Sequence, residues 1–365
     1  MEWQLEAISS VFLETEYSDG MHRRCVSSRR IHPPLERIDT NSDALRNIRE
    51  AAVDLAARRN EEEWNRRLLR LMNTSHARMN GAKSPIELNT LRKIYTDSCL
   101  LRGLSRSLTS HSTEAIAILD SAIIIAGPYG GGRHELLLDA IFKIQQPIST
   151  STTIDIGPEP LGALATYVQC TIPCLPTPPP FITFQNSSSY GPFILRNYAV
   201  HWPALQARPW RSCAYLRSVA GPGRIVPVEV GSDYRTHDWQ QKIMPWDEFL
   251  ALLDFQDQPA SNVDPNVYYL AQHDLTRQFP GLRDDVIVPD YVYAQLKTPD
   301  FPSYHPPCNE DQILFNTWLG PKGTISPAHV VSNRFRRHKY VFTNINLGPV
   351  LQSIRWVKQF HVRMD

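Results

Sequence analysis

The sequence lacks a long apolar run, an excess of either charge and a dense set of cysteines, and each shortage removes a class of protein. Its longest apolar stretch, Ala115 to Gly127, is interrupted by Asp120 and is too short to cross a bilayer. Glu2, Glu6 and Glu14 stand where a secretory signal would need apolar residues, so no export signal is expected. A formal net charge of +1 gives no general attraction to nucleic acid or to an anionic membrane. The six cysteines (Cys25, Cys99, Cys170, Cys174, Cys213, Cys308) are scattered, and only Cys170 and Cys174 are close. No second Cys/His pair sits at zinc-site spacing, so they are read as reduced thiols of a nuclear or cytoplasmic protein. What is present is ordinary for a globular chain: 365 residues, 42% hydrophobic and 21% charged, enough for two cores.

Local patterns divide the chain into five stretches. Residues 1–40 show no sustained period and are expected to be loosely ordered, apart from a short helix near the start. Residues 41–147 read as a helical domain. Leu45, Ile48, Ala52 and Leu55 recur at three- and four-residue spacing and predict one long helix from about Ser42 to Asn73. Ser84-Pro85-Ile86-Glu87 sets an N-cap hydroxyl, a proline at the first helical position and a capping-box glutamate in register for the next helix. A third helix, Glu114 to Ala126, should end at Gly127, and a fourth should run from His134 to Gln145. Gly130 to Gly132 lack both the preceding strand and the Gly-Lys-Ser/Thr ending of a phosphate loop, and are read as a connector between helices.

Residues 148–190, with Pro176-Thr-Pro-Pro-Pro180, read as a Pro/Ser/Thr-rich linker and domain entry. Residues 191–329 change to short strand-like runs: Phe193 to Leu195, Arg224 to Val230, Val267 to Ala271 and Gln312 to Leu319. One helix is expected among them, Pro245 to Leu253. Short strands at this spacing predict a sandwich or barrel. Residues 330–365 hold seven Lys/Arg and a single acid, Asp365, a composition unlike the rest.

Several runs carry more than architecture. They are Gly191-Pro-Phe-Ile-Leu-Arg-Asn-Tyr198, His201-Trp-Pro203, Val226-Pro-Val-Glu-Val-Gly-Ser232, Tyr269-Leu-Ala-Gln-His273, Pro289-Asp-Tyr291 and Gly320-Pro-Lys-Gly-Thr-Ile-Ser-Pro-Ala-His329. In this order they resemble the Jumonji-C (JmjC) oxygenases, in the lysine demethylase or arginyl hydroxylase branch that has a helical N-terminal domain. The resemblance covers about residues 84–145 and 168–329. It implies an α+β chain in which the helical domain precedes a cupin-type double-stranded β-helix (jelly roll) binding Fe(II) and 2-oxoglutarate. It also implies hydroxylation or demethylation of a protein or peptide whose cationic side chain is arginine or methyl-lysine. By the resemblance, His329 is the first iron ligand, Tyr269 and Ser326 hydrogen-bond the 2-oxoglutarate carboxylates, and Lys339 is the candidate for the distal carboxylate. Glu229, Trp318 and Gln272 would line the substrate pocket, where charge pairing and cation–π contact suit a cation. Glu229 alternates with Val228 and Val230 and so faces away from them. His273 is read as a structural hydrogen-bonder.

The pattern then breaks. The family's iron is held by two histidines and a carboxylate, the carboxylate two residues after the first histidine. Here position 331 is Val, and none of the twelve histidines begins a His-x-Asp or His-x-Glu. Lys339-Tyr340-Val341 arrives about five residues early, a displacement of about 16 Å along a strand. Residues from about 330 onward are therefore expected not to be family sequence, the jelly roll is expected to be incomplete with unpaired edge strands, and the chain as written is expected to be catalytically incompetent. The alternative is a non-catalytic protein-binding module made of the helical domain and a partial cupin. A weaker one is a nucleic-acid binder resting on Arg334, Arg336, Arg337 and Lys339.

Overall fold

The computed structural model describes residues 2–9, 12, 40–148, 173–186, 193–231, 237, 239–255, 257–258, 266–293, 314–321, 324, 339–346 and 350–358. They form an α+β chain of two compact units: residues 1–150 with 222–225, and residues 151–221 with 226–365.

The first unit is helical. It contains α1 (Glu2–Ser9), α2 (Thr40–Ala56), α3 (Glu61–Met79), α4 (Pro85–Leu108), α5 (Ser112–Ser121) and α6 (Arg133–Gln145). The single helix expected from Ser42 to Asn73 is two helices. Arg58 and Asn60 adopt positive φ, 53° and 54°, and reverse the chain between α2 and α3. The Trp64 indole donates to Asp54 at 2.8 Å and fastens the turn. The α4 start matches the sequence reading, with the Ser84 hydroxyl accepting from the Glu87 N–H at 3.1 Å. The reciprocal bond is shifted by one residue, since the Glu87 carboxylate accepts from the Lys83 N–H. A π-helical turn, Ala122–Ala126, extends α5 to Gly127, and the glycine loop connects it to α6 as expected. Gly130 and Gly132 take φ of +124° and +67°, and a side chain at 130 would strike Arg133. Arg133 is thereby turned inward onto the buried Asp97 at 2.7 Å. Ile48, Leu68, Ile94, Leu101, Ile116 and Leu137 are among the core of this unit.

The second unit holds β1 (Cys174–Leu175), α7 (Phe181–Asn186), β2 (Ile194–Leu195), α8 (Cys213–Ala220), β3 (Ile225–Val230), β4 (Gln240–Pro245), α9 (Trp246–Ala251), β5 (Tyr268–His273), α10 (Leu275–Gln278), β6 (Leu314–Pro321), β7 (Lys339–Asn346) and β8 (Val350–Lys358). Ile225, the first residue of β3, groups with the first unit. Strands β1 and β2 form a small parallel pair. The other six make one sheet in the order β4-β3-β5-β6-β8-β7, and the pairings from β3 to β7 are all antiparallel. One face of the sheet carries Val226, Val228, Leu270, Phe315 and Leu319 into a core with Trp202, Trp210, Trp246 and Phe249.

The sequence reading expects unpaired edge strands where the family pattern breaks off after β6. Instead β8 pairs along all of it, from Leu314↔Val357 to Pro321↔Val350, and β7 pairs with β8 in turn. The reason is local: the 339–358 stretch is rich in β-branched and aromatic residues, with the dipeptide Gly348-Pro349 in its sequence, a composition that favours strand pairing whatever its net charge.

Candidate functional site

The face of the sheet opposite the tryptophan-rich core collects three of the seven candidate residues. β3 alternates buried valines with half-buried Glu229, and Glu229 pairs directly with Tyr269 on β5. Leu270 pairs with Leu319, which sets Tyr269 beside Gly320 on β6. Trp318 lies two residues from Gly320 and so shares its face. Both aromatic residues are largely enclosed, Tyr269 at 8% and Trp318 at 5% exposure. Gly320 is needed for this approach, because a Cβ there would stand 2.6 Å from Cδ2 of the Tyr269 ring. Directly paired residues have Cβ atoms about 5 Å apart, so Glu229, Tyr269 and Trp318 are near neighbours.

Trp239, the residue before β4, joins them. Its indole donates to the Glu229 carboxylate at 3.4 Å. The sequence carried no cue for this residue beyond its being a tryptophan next to a strand. The group has one carboxylate bonded by one indole, with a phenol and a second, enclosed indole on the same face of the sheet.

Gln272 occupies a different kind of position. Between the pairs Leu270↔Leu319 and His273↔Thr317, β5 has two residues and β6 has one, Trp318. Ala271 and Gln272 therefore form a β-bulge opposite Trp318. Gln272 adopts φ of 52° and is exposed. Beyond the bulge His273 bonds the buried Gln278 at 2.6 Å, the structural role expected of it.

Lys339 is not brought to this group. It pairs with Lys358, one residue beyond the Leu314 end of β6, whereas Tyr269 sits at the Gly320 end. The two are separated by about 20 Å along the strands and by three strand spacings, about 14 Å, across them. Ser326 and His329 lie outside the described residues. Thr324, from the same motif, turns the chain after β6 by donating its hydroxyl to the Pro321 carbonyl at 2.7 Å.

Set against an Fe(II) site of the two-histidine, one-carboxylate type, with His329 taken as the first ligand that the resemblance implies, the sequence departs two residues later. Valine at 331 has no lone pair to offer where the carboxylate belongs. Among the described residues no three His, Cys, Asp or Glu side chains converge.

Two further carboxylates of this unit, one buried and one exposed, are held by several donors each. Asp285, fully buried, accepts from the Trp210 indole at 2.8 Å and the Tyr215 hydroxyl at 2.6 Å, with Arg208 at 3.1 Å. Burial pushes its carboxyl above the ordinary range. Asp257 accepts from the Ser212 hydroxyl and from the Cys213 and Ala214 N–H groups at the start of α8. Burial alone would raise it, but those donors outweigh burial and hold it below the ordinary range.

No family model matches the chain. The "Jumonji C domain-containing protein 5" of Drosophila melanogaster is 36% identical over 259 residues, 68% of this chain and 59% of that protein. The chain belongs to the JmjC family. Other JmjC relatives cover less. The "Lysine-specific demethylase 8" of Danio rerio is 40% identical over 139 residues, 38% of this chain and 30% of its own. The "JmjC domain-containing protein D" of Dictyostelium discoideum is 32% identical over 154 residues, 42% of this chain and 34% of its own. The chain thus spans less than two thirds of the JmjC relatives it matches. Among the described residues no helix is long and apolar enough to cross a membrane.

Proposed function

We propose that the second unit is the substrate-facing part of a JmjC jelly roll that holds a protein or peptide by a cationic side chain, and that this chain does not turn it over. The observation that carries the reading is the cross-strand set Glu229, Tyr269 and Gly320, with Trp318 and Trp239 beside it. Glu229 supplies the charge, and the indoles supply the faces over which a methylated ammonium or a guanidinium rests. The name "Lysine-specific demethylase 8" borne by a relative favours methyl-lysine over arginine. In a complete family member, Fe(II) and 2-oxoglutarate would supply the oxidation of the bound side chain. Here Val331 removes a ligand, and no chemical step is assigned to this chain.

Two measurements test the two halves. Succinate formation from 2-oxoglutarate, with added Fe(II) and a methyl-lysine peptide, should stay at background; iron-dependent succinate would overturn the incompetence. Binding of the same peptide by isothermal calorimetry should weaken about tenfold in Glu229→Gln, the range for losing a charge-assisted contact of about 1.5 kcal/mol. Equal binding by both proteins would remove Glu229 from the site. Binding without turnover makes the chain a reader of the side chain that its relatives are named for modifying.

A further inference from the structure

We infer that Thr177 is a phosphorylation site for a proline-directed protein kinase, with Arg196 as the counter-charge to the phosphate. The chain holds four Ser/Thr-Pro pairs: Ser84-Pro85, Thr177-Pro178, Thr298-Pro299 and Ser326-Pro327. The last two lie outside the described residues. Ser84 is committed elsewhere, because its hydroxyl accepts from the Glu87 N–H and Pro85 opens α4. Thr177 is not committed. It stands at a bend in the connection between β1 and α7, with its side chain exposed. Among the described residues its hydroxyl has no hydrogen-bond partner.

The run Pro176–Pro180 is fixed at both ends without being covered at Thr177. Before it, β1 pairs with β2 through Cys174↔Ile194 and Leu175↔Leu195. After it, Pro179 is buried and its carbonyl accepts from the Tyr291 hydroxyl. Phe184 of α7 packs edge-on against the Tyr291 ring, with centroids 4.8 Å apart. Pro176, Pro178 and Pro180 stay exposed with Thr177. Pro178 also disfavours helical backbone at Thr177. A kinase that selects a non-helical acceptor followed by proline therefore meets both features in the folded chain. In the transfer, Thr177 Oγ1 attacks the γ-phosphorus of ATP and the bond from that phosphorus to the β–γ bridging oxygen breaks. ADP departs, and the hydroxyl proton passes to the kinase.

Arg196 is placed to receive the product. Parallel register brings Pro176 and Arg196 out of the β1–β2 pair at the same level, about 5 Å apart. The guanidinium already turns towards β1, where its Nε donates to Cys174 Sγ at 3.5 Å. A phosphate one residue beyond Pro176 brings about two negative charges and three acceptor oxygens, a stronger acceptor for a guanidinium than a thiol is.

Incubating the full chain with ATP and an activated mitogen-activated protein kinase, followed by peptide mapping in a mass spectrometer, should find phosphate on Thr177. The rate should lie within about tenfold of that on a free peptide of residues 173–184, since no local opening is needed. Pro178→Ala should abolish it without changing the circular dichroism spectrum. By phosphorus-31 resonance the phosphate should titrate about 0.2–0.7 pH unit below the phosphorylated peptide, the range for an exposed ion pair. Arg196→Gln should return it to the peptide value. A Thr177 that stays unmodified, or reacts more than about tenfold more slowly than the peptide, overturns the inference. Phosphorylation that survives Pro178→Ala does so too. A phosphate that titrates as in the peptide in both proteins overturns the part given to Arg196.

Discussion

The two units satisfy their carboxylates by different means. In the helical unit each buried aspartate meets a guanidinium that is itself buried. Asp97 faces Arg133, with Lys93 at 3.1 Å, and Asp120 takes a two-pronged contact from Arg224 at 2.7 and 2.8 Å. In the sheet unit the carboxylates rest mainly on neutral donors: indole and hydroxyl for Asp285, hydroxyl and backbone N–H for Asp257. A buried ion pair is rigid and fails abruptly when one partner goes. A carboxylate solvated by dipoles is graded, and its contribution varies with pH.

Asp120→Asn probes the first arrangement. It leaves Arg224, 5% exposed, without its counter-charge and should cost about 3–5 kcal/mol of unfolding free energy in urea. A loss below about 1 kcal/mol would mean that the pair is not what holds the segment 222–225 to its unit. Gly320→Ala should cost about 1–3 kcal/mol, because the added methyl meets the Tyr269 ring rather than open space. An unchanged midpoint would show that the ring moves aside freely.

The pH series sharpens the contrast inside the sheet unit. Asp285 has a raised folded-state pKa, so its contribution is present below the unfolded value near 3.9 and is lost as pH rises through the folded value. Asp285→Asn should therefore cost about 1–2 kcal/mol near pH 4, through weaker bonds to Trp210 and Tyr215, and less at neutral pH. Asp257 has a lowered pKa and the opposite sense: its contribution is present above about pH 4 and disappears as pH falls through the folded value. Asp257→Asn should cost about 0.5–1 kcal/mol at neutral pH, a helix-capping effect reduced by solvent exposure. Urea titrations at several pH values that gave both variants the same slope would erase the distinction. The smallest effect is expected from Gln272→Gly, which relieves the positive φ and should raise stability by about 0.5 kcal/mol.

Much of the helical unit is legible in the sequence because caps and breakers are local. Ser84 marks its helix start within three residues, and Gly127 marks an end where it stands. The break at 57–60 is not legible, since Arg58 is no turn residue and the apolar spacing continues across it into Trp64 and Leu68. α8 was missed for a related reason: it is short, and part of its start is capped by Asp257, 44 residues downstream of Cys213. β4 is not legible because a solvent-facing edge strand has little alternation in its sequence. At the site, the facing of Glu229 follows from valine alternation, whereas Trp239 is found only through its bond to Glu229. Counting residues would also place Tyr269 and His273, four apart on one strand, on the same side. The structure puts Tyr269 with Trp318 and His273 opposite Thr317, on the core side.

That separation makes the bulge a phase shifter. One extra residue in β5 advances everything after it by half a repeat, so the strand displays a phenol on one side and an imidazole on the other. Deleting Gln272 would restore the plain alternation with His273 still opposite Thr317. Straightening the bulge with all its residues kept would instead swing His273 round to the side where Glu229, Tyr269 and Trp318 meet.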